Sequence, residues 1–312
     1  MYSPSGMNLF FQRKLLVLGG IALVLLMTPA PANAQADDSQ VSSSQGKATE
    51  GEDDPNDKAA RGQRDRDQNQ NAAKITAVPN RPTFSTTAEA VQRGVLEVEY
   101  GVELAAEHQN INGLIKFGIF NNLELRFANN PFVRDGGIAG MGDSGAGFKY
   151  RIFSQEGLLP TFSVLYTASI STSTGTPGIG AMGHGVDVLL SKDFGKHHFD
   201  FNEGVRFLGR PGTGGYDRNY FTAFDYAHPL PRKWGYAIEI AGFSRANAAT
   251  PASMVILLAA TYNVSPRLVL DAGEYTAVYG KLPRVTFFLG VTYSIADLYR
   301  LHRSVPATIR NP

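Results

Sequence analysis

Arg284-Val285-Thr286-Phe287-Phe288-Leu289-Gly290-Val291-Thr292-Tyr293-Ser294-Ile295 is the stretch on which the fold turns. Val285, Phe287, Leu289, Val291, Tyr293 and Ile295 share one parity. Thr286, Gly290, Thr292 and Ser294 occupy the other, interrupted only by Phe288. A strand turns successive side chains to opposite faces, so this segment has one greasy face and one polar face. At about a dozen residues it exceeds the usual globular strand and suits a tilted crossing of a bilayer.

The same rhythm recurs upstream. Candidate strands fall at 94–105, 110–120, 122–129, 142–153, 159–170, 182–194, 197–208, 218–228, 234–245, 253–264, 267–278 and 284–295. Ile115, Phe117 and Ile119 share a face, as do Leu123, Leu125 and Phe127, and Trp234, Tyr236, Ile238 and Ile240. Lys116, Glu124, Arg126, Lys149, Arg151 and Glu239 take the opposite parity. A Lys or Arg facing lipid at mid-depth costs about 2–4 kcal/mol, so these groups are expected to point inward. Asn121-Asn122, Gly195-Lys196 and Ser265-Pro266 read as tight turns, whereas Asn130–Met141, Ser171–Ala181 and Gly209–Asp217 read as longer polar loops. Short links alternating with long ones, in an even number of strands, predict an all-β, transmembrane, antiparallel up-and-down barrel of about twelve strands. Three places fit less well. The link between the first two strands is short for an outer loop, Glu203 falls on the apolar parity of Phe199, Phe201 and Phe207, and 253–260 is apolar on both faces.

Residues 1–34 read as a secretory signal peptide. Arg13 and Lys14 precede an apolar run from Leu15 to Met27, and Ala32-Asn33-Ala34 offers small residues for cleavage before Gln35. That run falls short of the roughly 20 residues of a membrane helix. Residues 35–78 read as a disordered periplasmic linker, because Gln35–Lys74 holds almost no large apolar residue with which to offset the entropy of ordering. The barrel is expected over 79–297 and a short tail over 298–312. With no cysteine there is no disulfide frame, and with a net charge of +1 no basic field that would favour nucleic acid.

Asn80-Arg81-Pro82-Thr83-Phe84-Ser85, Gly94–Gly101, Met141-Gly142-Asp143 and Gly147-Phe148-Lys149-Tyr150-Arg151 occur in that order. Together they resemble the bacterial MetA-pathway of phenol degradation family, over roughly 78–297. Asn80 stands where that family usually has Asp, and Ser144 follows the Gly-Asp turn. The resemblance implies a porin-like outer-membrane transporter for small molecules, aromatics among the candidates. Tyr293-Ser294-Ile295 also resembles the C-terminal signal of outer-membrane barrels, although 296–312 follows it. The expected partners are therefore outer-membrane lipid, the barrel-assembly machinery and a small solute, with no nucleic acid.

Candidate lumen residues are Glu97, Glu99, Glu103, Lys116, Glu124, Arg126, Lys149, Arg151, Asp187, Arg206, Glu239 and Asp271. Acidic and basic rows on facing walls would set a transverse field for solutes; pairing among themselves would instead fill the interior. Arg81, ahead of the first strand, is placed either in the periplasmic mouth beside Glu97 and Glu99 or in a strap outside the barrel. No enzyme is expected. His184, His197, His198 and His228 sit in no nucleophile–base or zinc-ligand spacing, and no cofactor or metal motif is present. Pro211–Gly215 lacks the lysine of a phosphate loop. Tyr216, Tyr220, Phe221, Phe224 and Tyr226 read either as an interfacial girdle or as a site for an aromatic solute.

Overall fold

The computed structural model describes residues 75–174, 178–280 and 282–299. The expected signal peptide, the linker as far as residue 74 and the tail from residue 300 lie outside them. Thirteen strands follow in order: β1 (Val95–Leu104), β2 (His108–Phe120), β3 (Leu123–Asp135), β4 (Ile138–Gly140), β5 (Ser144–Phe153), β6 (Thr161–Ile170) and β7 (Gly183–Phe194). Then come β8 (His197–Gly209), β9 (Tyr216–Pro229), β10 (Trp234–Phe243), β11 (Ser253–Ser265), β12 (Leu268–Tyr279) and β13 (Val285–Asp297). Each wall strand pairs antiparallel with its sequence neighbours, β1 pairs with both β2 and β13, and β2 pairs with β3. The sheet therefore closes into a barrel of twelve strands, with β4 as a short flap on β3.

The alternation in sequence is the alternation in space. On β1 the buried residues are Val95, Glu97, Glu99 and Gly101, which face the interior. On β13 the inward row is Thr286, Phe288, Thr292 and Ser294, while Phe287, Leu289, Tyr293 and Ile295 are exposed on the outside. Leu125, Phe127, Phe148, Tyr150, Trp234, Ile238 and Ile240 continue this apolar exterior around the wall. A polar inside and a hydrocarbon-compatible outside, on strands of ten to fourteen residues, make the barrel transmembrane in build.

One sequence expectation is corrected, and two irregularities of the pattern are explained. The polar loop read over Asn130–Met141 is instead the outer end of β3 and the β4 flap, because β2 runs out to His108 and offers partners for Val133, Arg134 and Asp135. A register shift between Ile111 and Gly113 accommodates Pro131, which has no N–H for the ladder. The stretch 253–260 is apolar on both faces for a structural reason. Val255, Leu257 and Ala259 join Phe221, Tyr275 and Phe288 in an apolar cluster inside the barrel, and Ile256 and Leu258 face out. Phe221 thus turns inward, away from the exterior row of Tyr220 and Phe224. Glu203 does face outward, with Thr222 Oγ1 donating to its Oε2 at 2.6 Å.

Candidate functional site

Residues 75–93, just ahead of β1, run inside the barrel as an extended strap without regular secondary structure. Pro79 and Pro82 bar this segment from a continuous ladder. Its backbone groups must still find partners once removed from water, and inward side chains of the wall supply them. Val78 N donates to Glu97 at 2.9 Å, and Asn80 N and Arg81 N both donate to Glu99 at 3.0 Å. Phe84 N and Ser85 N donate to the two oxygens of Glu239 at 2.7 and 2.6 Å. Thr86 N reaches Asn202 at 2.6 Å, Ala88 N reaches Ser191 at 2.6 Å, and Val91 N reaches Glu124 at 2.8 Å. The carbonyls are met in the same way. Lys116 Nζ donates to Val78 O, Lys149 Nζ to Thr87 O at 3.0 Å, and Ser163 Oγ to Ala88 O. The strap so visits β1, β2, β10, β8, β7, β6, β5 and β3 in turn, tracing a hoop around the inner wall.

Arg81 is the one strap side chain that reaches out along this wall between four strands. Asn112, Gly101, Gly290 and Asp271 are neighbours in register across β2, β1, β13 and β12. The guanidinium lies over the two glycines, where any Cβ would collide with it. Its Nη1 donates to Asn112 Oδ1 at 2.6 Å, and Nη2 pairs with Asp271 Oδ1 at 3.3 Å. Beside it lies a cavity of about 190 Å³ lined by Asn80, Arg81, Thr83, Thr86, Glu99 and Asn112. Phe84, three residues further on, packs its ring 5.1 Å from Tyr275 and 5.9 Å from Phe243.

The candidate residues read from sequence divide accordingly. Glu97, Glu99, Lys116, Glu124, Lys149 and Glu239 are almost fully buried beneath the strap, so they hold it rather than face open space. Opposite charges sit side by side, the second of the two arrangements weighed from sequence, in which they pair among themselves. Lys116 pairs with Glu97 at 2.6 Å and with Glu99, Arg126 pairs with Glu124 at 2.9 Å, and Asp187 pairs with Arg206. A long flexible cation bonds the carboxylate on the next strand because the register puts it there, as with Glu97 opposite Lys116. Arg151 pairs with Glu89 of the strap, and Glu103 accepts from Asn112 Nδ2 at 2.6 Å. Arg81 places its backbone on Glu99 but sends its side chain to Asp271 rather than to Glu97 or Glu99.

Sequence reading missed Asn202, Ser163, Ser191 and Thr161, which carry the strap on β6 to β8. Their signal was uncharged polarity at inward parity, weaker than a charge but of the same sense. His184 and Asp187 lie on opposite faces of β7: Tyr166 is bonded to His184 Nδ1 at 2.8 Å outside, and Arg206 to Asp187 inside. That geometry builds no acid–base pair.

No protein-family model matches this chain, and no curated protein matches it. The resemblance to the MetA-pathway family therefore rests on its short motifs alone. Among solved structures, an outer membrane channel from Pseudomonas putida F1 aligns with a TM-score of 0.53 and 12% identity, over 68% of this chain and 99% of its own. The NanC porin aligns at 0.49 and 13%, over 64% of this chain and 100% of its own. At 12% identity, what this chain has in common with the Pseudomonas channel is the fold.

Proposed function

We propose that this chain is an outer-membrane channel for small solutes whose bore is set by the internal strap. The observation that carries the reading is a closed wall, apolar outside and polar inside, crossed by a hydrogen-bonded hoop that leaves a small cavity beside Arg81. Passage is passive, driven by the solute's gradient. Arg81, Thr83 and Asn112, which line that cavity, offer polar groups to a passing solute. The signal peptide read over 1–34 would deliver the chain to the periplasm, and the barrel-assembly machinery would insert it with the tight-turn end inward. The motifs that resemble the MetA-pathway family fall partly in the strap, at Asn80–Ser85, and that resemblance makes aromatic molecules the first passengers to test.

Purified full-length chain in planar bilayers should show small single-channel currents, and Arg81→Ala should raise them. A wild-type conductance as large as that of a general porin, unchanged in the variant, would overturn the reading. Liposome swelling with phenolic acids, sugars and amino acids then ranks the passengers; equal rates for all three would refute aromatic preference.

A further inference from the structure

Arg206 is fixed along one edge of its guanidinium and left open along another. On the inner wall it stands in register with Gly185 of β7, while Asp187 of β7 stands in register with Gly204 of β8. The two charged side chains cross over their glycine partners, and Nη1 donates to Asp187 Oδ1. A Cβ at Gly204 would overlap the Asp187 carboxylate and come within 3.0 Å of Nη1, and one at Gly185 would lie 2.9 Å from Cδ of Arg206. The side chain is therefore laid flat on bare backbone. From β9 the ring of Phe221 flanks it, with Cζ 5.6 Å from the ring centroid.

Asp187 takes Nη1 alone, and neither Nε nor Nη2 donates to any described residue. The Arg206 side chain is also 34% exposed, against 9% for Arg126, 14% for Arg81 and 20% for Arg151. Nε–H and Nη2–H form one edge of the guanidinium fork, with the spacing of the two oxygens of a carboxylate. We propose that this edge of Arg206 binds the carboxylate of small organic acids on their way through the barrel. Arg206 stands four residues beyond Asn202 on β8, about 13 Å from the hoop toward the long-loop end, so a solute from outside meets it first. Asp187 narrows the class to monoanions, because its carboxylate repels a second negative charge brought beside Nη1. It also cancels the guanidinium's field at a distance. The anion is held only while its bonds are in place, and so leaves readily, as conduction requires.

As a selector of passengers the site rests on the channel reading above; as a binding site it is tested apart from it. Benzoate, and benzamide as its uncharged counterpart, are titrated calorimetrically into full-length protein folded in detergent micelles. Benzoate should bind about tenfold more tightly than benzamide. Arg206→Lys keeps a charge but has no paired edge, and should weaken benzoate about fivefold. Arg206→Gln combined with Asp187→Asn sets a neutral pair there without stranding a buried carboxylate, and should weaken it about tenfold. Heat-modifiable gel mobility checks that each variant is folded. Equal affinity for the two probes, or benzoate affinity unchanged in the double variant, would overturn the site. Single-channel recording on the same samples separates the two claims. Binding without current would overturn the channel and keep the site, and current without binding would do the reverse.

Discussion

Arg81 shows how a single side chain can be defined by residues that have none. Gly101 and Gly290 face each other across the β1–β13 seam, and the guanidinium lies in the room they leave. Gly290→Val puts a branched side chain there without offending a strand backbone, so the wall should form while Arg81 is driven off Asp271. Single-channel recording is expected to show a larger conductance than wild type; an unchanged current would mean that Arg81 does not limit the bore. Arg81→Ala removes the same bonds outright. Charge-assisted hydrogen bonds are worth about 1.5–3 kcal/mol each, so the temperature at which the gel-shifted form is lost should fall. Asp271 was assigned inward by parity alone, but nothing in the local sequence announced that Arg81 would lie between it and Asn112. That contact joins positions 190 residues apart.

At the scale of the element, the strap is stable because the wall completes its hydrogen bonding, not because it has structure of its own. Glu239 alone satisfies two successive N–H groups. Glu239→Leu leaves both buried without a partner, at about 1–3 kcal/mol each. Limited proteolysis should then cut near Phe84 in the variant and spare wild type, and identical digestion patterns would count against the hoop. The strands were legible in sequence because a period of two persists for ten or more residues. Val285–Asp297 and Leu268–Tyr279 lie within two residues of where alternation put them. The strap was not legible in the same way, since 75–93 has no period and its partners are scattered over the rest of the chain. What sequence showed was the other half of the bargain: carboxylates and lysines at inward parity, too many for a dry core. The outer end of β3 was hidden by Asn130 and Pro131, which read as the start of a loop.

For the whole molecule the decisive property is the inversion of a soluble protein, with its greasy side outermost. Leu289, on the exterior of β13, is more than half exposed. Leu289→Arg should lower the free energy of folding into vesicles by about 2–4 kcal/mol, whereas Leu104→Arg, at the end of β1, should cost about 0–1 kcal/mol. Urea titrations of vesicle-inserted protein measure both, and equal losses would contradict the assigned membrane depth. The unbroken cycle of wall pairings also leaves only the three-residue β4 flap with a free edge among the described strands.

Glu97 accepts from Val78 of the strap and also from Ser294 of β13, at 2.6 Å. One carboxylate therefore belongs to two events in the life of the chain: enclosing the N-terminal segment and zipping the last strand onto the first. With one acceptor shared between Val78 and Ser294, sealing the container and holding its contents are a single cooperative act, each favouring the other.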